Sequence, residues 1–224
     1  MDDLLSEKEQ IEKMRAWWSD YGWYVIGGVV LGAAILFGIN FYQSQKLEAE
    51  IAASVLYDEI AGYVTDGNLE AAEASAGQLD GEYGNSSYAA QSKLAMARLY
   101  MDKNRDQDAA QALNELLAMP GFDHLKHVAR ARLAKILLYQ GKPEEVLSLL
   151  EGQGNVAFAA LYAEELGDAY VALGRYDEAR AAYQAALGEV QPTVDQGLIQ
   201  LKLLDLPQSA GEAADEAPAE GSSE

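Results

Sequence analysis

The stretch Ala160–Thr193 reads ALYAEELGDAYVALGRYDEARAAYQAALGEVQPT and carries a helical pattern on each side of a central glycine. Gly174 lies between the two patterns, and a glycine readily takes the positive φ at which many helices end. Small residues on both helices allow close packing, and two tyrosines are large enough to fill the groove beside them. The small residues are Gly167, Ala179 and Ala186, and the tyrosines are Tyr170 and Tyr183. The stretch therefore predicts an antiparallel pair of helices.

This pair of helices resembles the tetratricopeptide repeat, a helix–turn–helix unit of 34 residues. That repeat places L-G, Y, a turn glycine, A, an aromatic residue, A and P in this order. Ala163 stands where the repeat usually has its first aromatic residue. The resemblance implies an all-α fold of stacked helix pairs. The matching residues are Leu166, Gly167, Tyr170, Gly174, Ala179, Tyr183, Ala186 and Pro192.

Similar turns recur upstream at Gly141, Asn104 and Gly67, with spacings of 33, 37 and 37 residues counted back from Gly174. One helix pair cannot bury its apolar face alone, so several pairs must stack. The longer spacings predict extra loop residues near 83–87 and 119–123. The sequence thus predicts a tetratricopeptide-like solenoid over residues 46–205. The residues expected to break helices at the two loops are Gly81, Gly84, Pro120 and Gly121.

The end of the chain divides into a helix and a tail. Residues 195–204 read DQGLIQLKLL, an amphipathic pattern that predicts one more helix covering the exposed edge of the last repeat. Residues 206–224 are rich in acidic residues and have few large apolar side chains. Such a composition favours disorder, because it cannot bury enough apolar surface to offset chain entropy.

A different pattern lies near the N-terminus, where residues 23–42 read WYVIGGVVLGAAILFGINFY without one charge. About 20 helical residues span the hydrocarbon core of a bilayer, and aromatic residues flank this stretch on both sides, as expected at a membrane interface. A signal peptide has a shorter apolar region and a small-residue cleavage site. We therefore predict a transmembrane helix over residues 23–43, in which Gly28 and Gly32 are a candidate contact with another membrane helix.

Basic residues predict the orientation of the span. Three of them precede it, whereas Lys46 alone follows it before Lys93. Because lysine and arginine resist translocation, residues 1–22 are expected in the cytoplasm and residues 46–205 in the periplasm of a bacterium, with the span in the inner membrane.

Composition excludes several functions. The chain has 224 residues, a formal charge of −20 and no cysteine. Such a charge opposes binding to nucleic acid or to anionic headgroups, and the lack of cysteine excludes thiol chemistry. The two histidines, His124 and His127, have no clear third ligand beside them and are interpreted as ordinary surface or helix-start residues. No phosphate-binding loop, dinucleotide fingerprint or nucleophile elbow occurs, so we predict no cofactor, no metal site and no enzymatic activity.

The tetratricopeptide resemblance also implies a binding surface, since the first helix of each repeat lines a concave face in such domains. Mixed apolar and polar residues there suit an extended or helical peptide. As an alternative, some of them pack against the protein's own N-terminal helix. The inward positions are Gln91, Leu94, Arg98 and Met101, then Val128, Ala131, Lys135 and Leu138, and then Leu161, Glu164, Asp168 and Val171.

The order of these features over residues 7–204 is similar to that of the YfgM-type ancillary subunits of the SecYEG translocon. The resemblance implies a non-catalytic inner-membrane adaptor that associates with SecYEG and with a membrane-anchored periplasmic prolyl isomerase chaperone of the PpiD type. Such an adaptor passes translocating polypeptides to periplasmic chaperones. The matching block consists of Glu9-Gln10-Ile11-Glu12, Lys13, Trp17-Trp18, Gly22, Gly28-Val29-Val30-Leu31-Gly32 and Tyr42.

Two other functions stay open at this point. In the first, the protein is a membrane-anchored scaffold that regulates an envelope-stress signalling system through residues 1–22. In the second, it is an envelope enzyme or an assembly factor for another machine. Repeat domains of this kind occur in many pathways, so the repeats alone do not separate these possibilities.

Overall fold

The computed structural model describes residues 7–153, 156–188 and 194–207. Within these ranges the chain forms nine α-helices, one 3-10 helix (Val156–Phe158) and no strand, which confirms the predicted all-α fold. The helices are α1 (Glu7–Asp66), α2 (Leu69–Tyr83), α3 (Ser87–Asp102), α4 (Asp106–Ala118), α5 (Asp123–Tyr139), α6 (Pro143–Leu150), α7 (Ala159–Ala172), α8 (Tyr176–Gly188) and α9 (Gln196–Leu204).

The chain divides into two compact units, Met1–Ala52 and Ala53–Glu224. In the first unit, α1 is long and apolar enough to cross a membrane, and its most apolar window is not buried by protein. Trp23 is 81% exposed and Phe37 is 74% exposed, so this segment differs from the buried core helix of a soluble protein. The predicted span of residues 23–43 lies inside α1, and no helix end marks the predicted start of the repeat domain at residue 46.

The second unit contains four helix pairs whose turns have the same backbone structure. The pairs are the end of α1 with α2, α3 with α4, α5 with α6, and α7 with α8. The four predicted turn residues all have positive φ, between 59° and 70°. In each turn this residue donates its N–H to the carbonyl three residues before, and the next residue donates to the carbonyl five residues before, as Gly174 does to Val171 and Arg175 does to Tyr170. Such paired bonds satisfy carbonyls that a helix end leaves open. The repeats predicted from spacing are therefore present in the backbone.

Alanine at a turn glycine should destabilise the protein, because a left-handed conformation costs a residue with a Cβ about 1 kcal/mol. We expect Gly141→Ala to lower the free energy of unfolding by about 1 kcal/mol. Asn104→Gly should lower the free energy of unfolding by less than half of that amount, or should raise it. The reason is that Asn104 has a φ of 59°, which glycine adopts without a steric cost. Urea unfolding of the full-length protein in detergent, followed by circular dichroism, measures both changes, and a larger loss for Asn104→Gly would contradict the prediction.

Two of the turns share a side-chain arrangement. An arginine directly after the turn residue lies over a tyrosine of the preceding helix, at 4.9 Å and 4.7 Å from the ring centroid. The same arginine pairs with a carboxylate three residues further on, at 2.6 Å and 2.9 Å. These two repeats therefore share a side-chain arrangement in addition to the backbone structure of the turn. The two sets are Tyr100, Arg105 and Asp108, and Tyr170, Arg175 and Glu178.

Small residues let the helices of the last pair approach closely, as predicted. A Cβ atom placed on Gly167 would lie 2.3 Å from Cε1 of Tyr183, far inside van der Waals contact. Ala179 and Ala186 are fully buried on the facing side of α8. Each helix from α2 to α9 packs against the next one, and α3, α5 and α7 also contact one another in order, which is the packing of a stacked repeat.

The loops and the last helix follow the predictions with one exception. Breaks occur at residues 84–86 and 119–122, but the prediction that Gly81 breaks a helix is wrong, because α2 continues to Tyr83. A glycine inside a helix costs only about 1 kcal/mol, which the burial of Leu79 on the same helix offsets. The predicted last helix is α9, and its Ile199 is fully buried. Pro192 lies outside the described residues, and so does the predicted disordered tail except for residues 206 and 207.

Candidate peptide groove

The twelve residues predicted to line the groove lie on α3, α5 and α7, the first helices of the second, third and fourth pairs. Their exposure differs. Arg98, Lys135 and Val171 are exposed, whereas Ala131 and Glu164 are buried. The other seven are half-buried, and Leu94, Met101, Leu138 and Leu161 among them pack against the main apolar cluster of the repeats. The predicted residues are thus partly core and partly surface.

On α7 the predicted polar positions are engaged by the chain itself. Lys202 of α9 places its Nζ 2.9 Å from Glu164 Oε1 and 2.7 Å from Asp168 Oδ2. The hydroxyl of Tyr183 also donates to Asp168 at 2.6 Å, and burial together with this bond raises the pKa of the tyrosine. These two carboxylates therefore hold the C-terminal helix, instead of the N-terminal helix considered from the sequence. The candidate ligand site therefore lies on α3 and α5, and not on α7.

Three of the predicted residues, Arg98, Met101 and Lys135, come together at one pocket between α3 and α5, with a volume of about 270 Å³. The pocket is lined mainly by apolar atoms, and three basic residues line its edge through their aliphatic stems, with their charged ends beyond it. The floor residues are Ala97, Met101, Leu113 and Ile136, and the rim residues are Arg98, Arg132 and Lys135.

The rim cations have weak or partial pairing among the described residues. Arg98 lies 3.9 Å from the carboxylate of Asp102, and both side chains are largely exposed, so this pair contributes little. Arg132 donates one N–H to the carbonyl of Leu94 at 3.1 Å. A guanidinium has five N–H donors, and an additional acceptor at this rim therefore meets donors that are still available.

The third cation, Lys135, lies beside a buried carboxylate of α7. Its Nζ is 3.2 Å from Oε1 of Glu165, which is only 1% exposed. Neither carboxylate oxygen of Glu165 has a well-oriented hydrogen bond within the described part of the chain. Burial raises the pKa of Glu165 to about 7, and Lys135 opposes this rise. Glu165 is therefore an ionisable group at the α5–α7 contact, next to the rim of the pocket.

Two of the three helices that line the pocket, α3 and α5, carry a net positive formal charge, unlike the whole chain. Together α3 and α5 contain six lysines and arginines but only two acidic residues, Asp102 and Asp123. The chain as a whole has 16 basic and 36 acidic residues. Lys93 of α3 is paired with Asp80 and Glu115, and α4, which lines the pocket through Leu113, carries three acidic residues. The positive charge that a ligand with a carboxylate can meet is therefore that of the three basic residues at the pocket.

Sequence reasoning missed several residues of this site. Arg132 directly follows the predicted inward position Ala131, and Glu165 directly follows Glu164. Neither residue therefore falls on the inward spacing of the repeat. Leu113 belongs to α4, the second helix of its pair, and also lines the pocket. The available signal was the density of basic residues on α5, which holds four of them in 17 residues.

His127 of α5 packs against the 3-10 helix and α7, whereas His124 is exposed. His127 stacks on Phe158 with ring centroids 4.9 Å apart, and its Nδ1 lies 2.7 Å from the hydroxyl of Tyr162. Burial lowers the pKa of His127. Within the described ranges no three histidine, aspartate or glutamate side chains are grouped to hold a metal ion.

The predicted membrane-helix contact lies on an open part of α1. A Cβ atom placed on Gly28 or Gly32 would meet no atom within 4 Å. The face therefore has room for a close helix partner, and the contact itself stays a prediction.

The similarity of the chain to known proteins agrees with this architecture. A family model described as a tetratricopeptide repeat-like domain matches residues 15–208. The chain belongs to this family. The match covers the described repeats and also most of α1, so the family includes the long apolar helix as well as the helix pairs.

Two similar proteins have the same name, and each matches this chain over nearly its full length. An ancillary SecYEG translocon subunit of Escherichia coli (strain K12) is 27% identical over 210 residues, which cover 92% of this chain and 99% of the relative. A protein of the same name from Neisseria gonorrhoeae is 27% identical over 201 residues, covering 89% of this chain and 96% of the relative. The similarity to the ancillary translocon subunits that the sequence suggested is confirmed, and these relatives are named as subunits instead of enzymes.

Proposed function

We propose that this protein is a non-catalytic inner-membrane subunit that accompanies the SecYEG translocon and binds segments of translocating polypeptides on α3 and α5. The observation that carries the proposal is the similarity over nearly the full length of relatives named as ancillary SecYEG subunits. The long exposed apolar helix and the basic, apolar pocket of the repeats support it.

The proposal includes an orientation with residues 1–22 in the cytoplasm and the repeats in the periplasm, supported by the basic residues that precede the span. The chain has no cysteine, so single cysteines report on location. Glu82→Cys on α2 should react with a membrane-impermeant maleimide in intact bacteria, whereas Glu12→Cys should react only after the inner membrane is permeabilised. The reverse pattern would contradict the orientation.

The proposal also assigns two membrane partners, SecY and a membrane-anchored periplasmic prolyl isomerase chaperone, and a hand-over of translocated chains to periplasmic chaperones. A photo-crosslinking amino acid at Gly32 should capture a partner helix in native membranes. The matched control is Val30, which lies about 200° around the helix from Gly32, on the other side.

Affinity isolation from gently solubilised membranes should recover SecY or the chaperone, and the absence of both would contradict the proposal.

One deletion separates this function from the signalling scaffold. Removal of residues 1–20 should leave the contacts with the translocon intact if the protein is an adaptor. A scaffold that works through its cytoplasmic segment should instead lose regulation of its pathway. Loss of the translocon contacts in this variant would contradict the assignment of those contacts to the span and the repeats.

A further inference from the structure

We propose that the pocket between α3 and α5 selects peptide segments in which a carboxylate lies next to a large apolar side chain. This inference rests on the proposed binding of translocating polypeptides and names the class of segment that the site prefers. It follows from the apolar floor, the three cations of the rim and the charge of the two helices.

The floor of the pocket fits one large apolar side chain. Ala97, Leu113 and Ile136 are nearly or fully buried around it, so their positions are set by the core of the repeats. Met101 is half-buried, and its unbranched thioether adapts to side chains of different shape. The volume of about 270 Å³ lies below the range of drug-sized ligand pockets and suits one side chain.

The rim favours a carboxylate over other polar groups. Arg98 and Arg132 come from different helices and line the same opening, where a carboxylate can accept charge-assisted hydrogen bonds from planar guanidinium groups. Lys135 also lines the pocket, but its ammonium lies 3.2 Å from the buried Glu165 of α7, so the two arginines supply most of the positive charge that is available to a ligand. A neutral amide would gain less at this rim, and a basic segment would be repelled.

The acidic tail of the protein itself is a less suitable occupant. Residues 208–224 read QSAGEAADEAPAEGSSE, which supplies carboxylates but no apolar side chain larger than proline. The tail therefore matches the rim and not the floor. A segment of another polypeptide, with a glutamate beside a phenylalanine or leucine, matches both.

Three peptides of equal length test the selection. They carry Glu-Phe, Gln-Phe or Glu-Ser at the centre of an otherwise neutral glycine- and serine-rich sequence with blocked ends. Fluorescence anisotropy with the full-length protein in nanodiscs of neutral lipid measures their affinities. We expect the Glu-Phe peptide to bind at least fivefold more tightly than either of the others, with the advantage over Gln-Phe decreasing in 0.5 M salt.

Variants of the rim locate the effect. Arg98→Gln and Arg132→Gln should each weaken the Glu-Phe peptide about fivefold and leave the Gln-Phe peptide nearly unchanged. Arg98 is exposed, so its replacement keeps the test valid even if Arg132→Gln disturbs folding. Lys142→Gln is the matched control, because Lys142 is an exposed cation that does not line the pocket.

The outcomes distinguish this inference from the function on which it rests. Equal binding of all three peptides, abolished by Met101→Trp at the half-buried position of the floor, would overturn the selectivity and leave peptide binding in place. Loss of binding in Lys142→Gln as well would overturn the assignment to this pocket. A gain of more than fivefold on deletion of residues 208–224 would assign the rim to the tail. No binding of any peptide, with SecY still recovered from membranes, would overturn the peptide site and leave the translocon association standing.

Discussion

Replacing Gly167 by valine is expected to lower the free energy of unfolding by about 3 kcal/mol. The reason is the close approach of α7 and α8. The first added carbon would lie 2.3 Å from Cε1 and 2.5 Å from Cδ1 of Tyr183. That ring cannot easily move away, because it is 2% exposed and its hydroxyl donates to Asp168 at 2.6 Å. The helices must separate, and the buried alanines of α8 would lose contact.

A second glycine variant separates this clash from the general effect of filling a helical glycine. Gly81 lies inside α2, and an added Cβ would meet no atom within 4 Å. Gly81→Ala should therefore raise the free energy of unfolding by about 0.5–1 kcal/mol, through helix propensity alone. Urea unfolding of the full-length protein in detergent, followed at 222 nm, compares the two variants. A loss of less than 1 kcal/mol for Gly167→Val would contradict the close packing of this pair.

Glu165→Gln is expected to stabilise the protein at pH 8 by about 3 kcal/mol and to have little effect near pH 4. Burial raises the pKa of Glu165 to about 7 in the folded protein, whereas an unfolded glutamate titrates near 4.3. Between these two values the folded state binds more protons than the unfolded state, so the contribution of Glu165 to stability falls as the pH rises. Above pH 7 the carboxylate is charged in both states, and the full cost of burying it remains.

The difference between wild type and variant across pH isolates this group. Lys135 attracts the Glu165 carboxylate, while Asp168 and Glu164 repel it, so all three set the size of the effect. Glu59→Gln, a replacement of an exposed glutamate on α1, serves as the control and should leave the pH profile unchanged. Thermal unfolding from pH 4 to pH 8 provides the measurement. A variant less stable than wild type at pH 8 would show that the ion pair with Lys135 outweighs the cost of burial.

Much of the fold was predictable, because the features that specify it are local. A turn residue with positive φ marks the end of a helix wherever it occurs, and all four predicted turn positions have this conformation. Small residues predict close helix contacts from a spacing within one repeat, as at Gly167. The error at Gly81 shows the limit of such signals, since the packing of a whole helix outweighs the propensity of one residue.

The candidate site was less predictable, because it depends on residues far apart in the chain. Lys202 reaches Glu164 and Asp168 only after α9 has packed, and no pattern within a repeat indicates that contact. The pair of Lys135 and Glu165 likewise forms between two repeats. Repeat spacing identifies inward positions, but the ion pairs that occupy some of these positions are set by tertiary packing.

The ion pairs of Lys202 also have a consequence for the order in which the domain is completed. Synthesis proceeds from the N-terminus, and the earlier helix pairs are available to stack before α9 emerges. Until Lys202 is present, Glu164 and Asp168 lack the cation that pairs with them, and Tyr183 lacks part of its cover. The last helix pair therefore reaches its final packing only after α9 has emerged, and a chain that stops short of residue 202 lacks this packing.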